Sequence, residues 1–185
     1  VGASEITHVM ATQALWQTKP RTLRITVNGT LGKGVTAKDV ILAIIAKISI
    51  SGGSGYVIEY AGSAIRAMSM EARMTVCNMS IEAAARAGLV APDDTTYAYL
   101  EGREFSPRGA EWEAALKIWK TLPTDDGAVF DKEVELNGAN IAPMVTWGTV
   151  PDDALPITGK VPDPAHATSK EARVHIERAL AYMNL

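Results

Sequence analysis

Two hydrophobic rhythms alternate along the chain. Thr22 to Asn28 (TLRITVN) carries apolar residues at every second position and is rich in β-branched side chains. That period predicts a strand, closed by Asn28-Gly29. Beyond Thr36 the period changes. Val40, Ile41, Ile44, Ile45 and Ile48 fall at helical spacing, so a helix is predicted to about Ile50. Thr36 is a suitable N-cap, and Asp39 three residues on completes a capping-box-like start. Ser51-Gly52-Gly53-Ser54-Gly55 breaks the helix and leads into a short strand, Tyr56 to Tyr60. Because that glycine run precedes a strand rather than a helix, it reads as a turn and not as a phosphate cradle. Ser69 then caps a long predicted helix to about Ala87, with Gly88 as its stop.

Shorter elements follow. Asp93-Asp94-Thr95-Thr96 opens a helix through Leu100, ended by Gly102. Ala110 to Leu122 is amphipathic, with Trp112, Ala115, Leu116 and Trp119 on one face as core or interface anchors. Val129 to Leu136 alternates as a strand, and Met144 to Gly148 is a further short one. Pro151 to Pro164 holds four of the nine prolines and reads as an irregular linker before a last helix, Lys170 to Met183. Ser4 caps a first helix through Gln13. Helices alternating with short strands predict the α/β class.

Composition removes several functions. With 185 residues, 47% hydrophobic and 21% charged, the chain has globular balance. Its net charge of -3 provides no basic field for a phosphate backbone, so no nucleic-acid partner is expected. Val40 to Ile50 is too short to cross a bilayer and contains Lys47, so no membrane partner is expected. No export signal or disulfide framework is visible, which makes the cytoplasm the expected compartment. Cys77 is the only cysteine, and His8, His166 and His175 are the only histidines, none at metal-ligand spacing. No metal ligand is therefore assigned within the chain. A chain that opens almost directly on a helix cap is expected to be an internal part of something longer.

The Ser69 to Gly88 segment carries the candidate chemistry. Met70, Met74, Cys77, Ile81 and Ala84 form an apolar line, which predicts a mostly buried helix and makes Cys77 a structural thiol. A polar line of Glu71, Thr75, Asn78, Glu82 and Arg86 runs through it. Asn78 and Glu82 stand four apart and so are predicted to point the same way. Glu82 could simply pair with Arg86 at the same spacing, a couple worth ~0.2–0.5 kcal/mol. Alternatively, both residues line a polar cleft.

Glu71 to Glu82 (EARMTVCNMSIE) closely resembles a stretch of the 3-isopropylmalate dehydratase (isopropylmalate isomerase) large-subunit family of the aconitase superfamily. Gly2 to Glu5, His8 to Gln13, Gly34 to Asp39, Ile58 to Tyr60, Leu89 to Thr96, Val145 to Thr149 and Ala179 to Met183 resemble the same family, in the same order. Ala72 and the Val150 before Pro151 depart from its usual pattern. The resemblance implies a hydro-lyase of leucine biosynthesis that interconverts 2- and 3-isopropylmalate, small hydroxy acids, by dehydration and rehydration. It implies a [4Fe-4S] cluster as Lewis acid, with its cysteine ligands outside this chain, and a serine base on a separate small subunit.

On the same basis, Asn78 matches an asparagine near the cluster. Glu82 matches a glutamate that handles the proton of the departing hydroxyl. Residues 1–20 are then the last helix of a preceding domain and 21–122 an aconitase-type second domain, a short-stranded sheet flanked by helices. Residues 123–185 are a strand, linker and helix leading into a following domain. The implied partners are the small subunit and the remaining large-subunit domains, and the chain alone is expected to be inactive. Paralogues acting on homocitrate or on methylmalate- or citramalate-type acids remain open, as does a non-catalytic binding or assembly module.

Overall fold

A computed structural model describes residues 3–185. Val1 and Gly2 of the Gly2 to Glu5 motif lie outside the described residues. In chain order the regular elements are α1 (Ala3–Thr12), β1 (Arg21–Asn28), α2 (Ala37–Ile48), β2 (Tyr56–Ala61), α3 (Ser63–Arg66), α4 (Met70–Asn78) and β3 (Ala87–Val90). They continue as α5 (Asp94–Leu100), α6 (Ala110–Trp119), β4 (Lys132–Asn137), β5 (Met144–Thr146), β6 (Ala154–Pro156) and α7 (Lys170–Met183). The α/β class is as expected.

Four parallel strands form the main sheet, in the order β3-β2-β1-β4. The strand rhythm explains why β1 is central. Leu23, Ile25 and Val27 point to one face and are fully buried. Their neighbours across the sheet are Ile58 and Tyr60 on β2, and Val134 and Leu136 on β4. The apolar stripe of α2 (Val40, Ile41, Ile44, Ile45) closes over this face, also fully buried. Each such side chain removed from water contributes roughly 1.5–3 kcal/mol. β4 joins this sheet although it lies in the 123–185 stretch.

The second element group is smaller. β5 and β6 pair antiparallel, with Val145 opposite Leu155. Trp147, Leu155, Ile176 and Ala179 form a separate cluster that seats α7. The stretch expected to be an irregular linker therefore contains a strand, β6. Elsewhere the expected helices at α1, α2, α5, α6 and α7 are present, and the glycine run at 52–55 is a turn into β2 as expected. On α6, Trp112 and Trp119 meet edge to face at 5.5 Å, and Tyr97 of α5 stacks on Trp119 at 6.4 Å.

The long helix expected from Ser69 to Gly88 is corrected. Ser69 does cap it, accepting from the Ala72 N–H. The α-helix nevertheless ends at Asn78, tightens into a 3₁₀ turn over Met79–Ala83, and stops at Ala84 with φ +60°. Gly88 is no helix stop but a residue of β3, beside Ile58. The buried stripe is also rotated from the expected one. Arg73, Val76, Ser80 and Ala83 are inside, whereas Met74 and Ile81 are 45% and 69% exposed. The helix is thus not mostly buried, and Cys77 is only half-buried.

Gly88 is where β3 meets this turn. A Cβ there would lie 2.1 Å from Ser80 Oγ and 3.1 Å from Cys77 Cα. Ser80 cannot retreat freely, since its hydroxyl is 2.8 Å from the buried Tyr60 hydroxyl. Burial pushes that phenol up to about 12. Gly88→Ala is expected to destabilise the protein by about 1–3 kcal/mol through overpacking, read as a fall in the urea midpoint.

Candidate active site

The first wall of the site comes from the start of α2. Thr36 donates from its N–H (2.7 Å) and its hydroxyl (2.6 Å) to Oδ2 of Asp39, the capping arrangement expected from the sequence. Asp39 does more than cap. Its Oδ1 accepts the Met144 N–H at 2.6 Å, which ties β5 to the helix start. Burial alone would raise this carboxyl. The Met144 N–H, together with the Thr36 hydroxyl and N–H, outweighs burial and holds it below the usual carboxylate range.

The second wall is the loop after β5. Asp153 is 4% exposed. Its Oδ2 accepts the N–H groups of Thr149 (3.0 Å) and Val150 (3.4 Å), and its own carbonyl accepts from Trp147 N–H. Gly148 is required here, because a Cβ would sit 2.0 Å from Asp153 Oδ2. The loop is thereby gathered around one buried carboxylate.

The 3₁₀ turn after α4 supplies the third wall. Between the three walls lies an open cleft of about 610 Å³, within the range of small-molecule sites. Met79, Leu42 and Met144 give it apolar surface, and Thr36, Thr146 and Thr149 give it polar edges. Besides Asp39, two charged residues line it, Lys38 and Glu82. Both side chains are exposed, and neither has an ion-pair partner among the described residues. The Glu82–Arg86 pairing does not form: Arg86 instead donates to Gln17 Oε1 at 2.6 Å. Asp39, the other acid in the lining, has its charge committed to Thr36 and Met144.

Asn78 and Glu82 are not brought together as expected. At three residues per turn, the 3₁₀ segment carries Glu82 about a third of a turn from the direction of Asn78. Asn78 is exposed at the end of α4, outside the lining of this cleft. Reasoning from sequence missed Lys38 and the Asp39–Met144 tie. The position of Lys38 beside a capping aspartate was the available signal for the first. The second joins residues 105 apart and left none.

The helix that carries Asn78 is held from behind. Arg73 is 2% exposed and meets Asp93 in a bidentate pair, with both N–O distances 2.7 Å. Its remaining donors reach the carbonyls of Met68 (3.2 Å) and Arg66 (2.7 Å). The Arg73 guanidinium keeps the Asp93 carboxyl below the usual range against an opposing effect of burial. Asp93 also caps α5, accepting from Thr95 and Thr96 N–H.

A protein-family model described as the aconitase family (aconitate hydratase) matches residues 1–185, the whole chain. The chain belongs to the aconitase family. It is an aconitase-family hydro-lyase domain, and the cleft holding Glu82 is its candidate active-site wall. The aconitase-family chain presents no group of three or more His, Cys, Asp or Glu side chains able to hold a metal among the described residues. Its single thiol, Cys77, is pushed up by burial, which disfavours the thiolate. No helix among the described residues is long and apolar enough to cross a membrane.

Proposed function

We propose that this domain supplies the acid–base wall of an isopropylmalate isomerase large subunit, with Glu82 as its working carboxylate. The supporting observation is a carboxylate, without an ion-pair partner among the described residues, in the lining of a cleft of small-molecule size that a lysine also lines. The choice of this member over others rests on the motifs resembling that family in order along the chain. Dehydration of a hydroxy acid breaks a C–O bond and a neighbouring C–H bond. In its protonated form Glu82 hands a proton to the departing hydroxyl, which leaves as water, and the resulting carboxylate takes a proton back from water in the reverse direction. Such positioned proton transfer contributes typically 10²–10⁴-fold. The carbon-bound proton goes to a base outside this chain. Lys38 offsets carboxylate charge on the substrate. Asn78, exposed beside the cleft, is proposed to face a neighbouring domain.

The residues of this chain do not fit a [4Fe-4S] cluster. Such clusters need several thiolates, and the chain has one cysteine, half-buried on α4 where it meets Gly88 of β3. What these residues contribute is acid–base and electrostatic. The small subunit and the remaining large-subunit domains are proposed as partners that complete the site.

The test is an assay of the assembled two-subunit enzyme on 2-isopropylmalate, homocitrate and citramalate, following the ultraviolet absorbance of the unsaturated acid. Turnover of 2-isopropylmalate well above the other two is expected. Preference for homocitrate or citramalate would reassign the substrate, and no turnover of any would favour an assembly module.

A further inference from the structure

The buried Asp153 carboxylate has a partner that the cleft itself does not explain. Its Oδ1 lies 2.7 Å from Nε2 of His175, on α7. The imidazole is 45% exposed, while the Asp153 side chain is 6% exposed. The same imidazole meets the Trp147 ring edge to face at 6.1 Å. Trp147 packs with Ile176 and Ala179 of α7. One turn of α7 thus touches the loop through an aromatic contact and a hydrogen bond.

The two carboxylate oxygens divide the work. Oδ2 holds the Thr149 and Val150 N–H groups, and Oδ1 holds His175. Thr149 and Val150 line the same cleft as Glu82. A carboxylate this buried needs a donor at each oxygen, because an unmet one carries a desolvation cost. Without His175, Oδ1 would have to turn toward water and would draw Oδ2 off the two amides. Lys170 and Arg178 lie on the same outer stretch of α7, but neither has a hydrogen bond or ion pair to Asp153. His175 is therefore the side chain of α7 that bonds the loop.

We propose that His175 is a positioning residue: acting through Asp153, it fixes the 148–151 wall of the cleft and makes the seating of α7 a condition for the cleft's shape. The inference rests on this geometry alone and stands whether or not the cleft catalyses dehydration.

Amide hydrogen exchange on the protein with His175→Leu and with His175→Gln tests it. The Gln amide can place a donor near the position of Nε2, whereas Leu cannot. In H175L, exchange at Thr149 and Val150 is expected to rise about tenfold or more, while the amides of Leu23 and Ile25 in β1 keep their protection. In H175Q, both loop amides are expected to stay within about twofold of the parent. Three outcomes overturn the proposal: unchanged loop exchange in H175L, an equal rise in both variants, or a rise of the same size throughout β1.

Discussion

Glu82→Gln in the assembled enzyme is expected to lower kcat by about 10²–10⁴-fold, the range for losing one positioned proton-transfer group. The glutamine keeps the shape and hydrogen-bonding reach of the side chain and loses its capacity to give and take a proton. Because Glu82 is exposed and has no ion-pair partner among the described residues, the substitution strands no other group. Folding stability should stay within about 0.5 kcal/mol of the parent, as for surface changes generally. KM should change little if the acid acts mainly in the transition state. A large stability loss, or unaltered kcat, would remove Glu82 from the chemistry.

Asp93→Ala is expected to lower stability by about 3–5 kcal/mol, the range for removing one partner of a buried pair. Arg73 is the buried member, and the substitution leaves its guanidinium with two backbone carbonyls only. It also takes the cap from α5. Chemical denaturation of the D93A protein checks this; a change below 1 kcal/mol would show that the pair contributes little. The pair also sets an acid limit. The folded Asp93 carboxyl lies below its ordinary 3.8, so its stabilisation is full above that value. It fades as the pH falls through the lower folded value. The acid-unfolding midpoint of D93A should accordingly lie at higher pH than that of the parent.

Much of this architecture is written in local pattern. β1, α2 and α7 were readable because their apolar periods run unbroken between caps and turns. The end of α4 was not. Ala84 adopts the left-handed conformation that glycine usually marks, so no residue type announced the stop. β3 was lost with it, since Ala87-Gly88-Leu89-Val90 is too short to show a period of its own. The burial of Arg73 was hidden for another reason. A basic residue reads as solvent-facing until its partner is known, and Asp93 comes twenty residues later, across a 3₁₀ turn and a strand.

The candidate site divides along the same line. Glu82 stood out as an acid amid apolar neighbours, and Thr36-Asp39 as a cap. The cleft between them depends on Asp39 reaching Met144 and on Asp153 gathering the loop after β5. Those are long-range or loop-specific bonds, and periodicity does not encode them. The resemblance to a known family connected Glu82 to a reaction, and the walls around it came from the fold.

Carbodiimide labelling of carboxylates in the assembled enzyme, with and without the hydroxy acid, measures the central claim without relying on turnover. Glu71 is the internal reference, exposed on α4 and outside the cleft lining. With saturating 2-isopropylmalate, Glu82 should be labelled several-fold more slowly while Glu71 is labelled at its original rate. Equal labelling of Glu82 in the presence and absence of the acid would show that the cleft does not receive it.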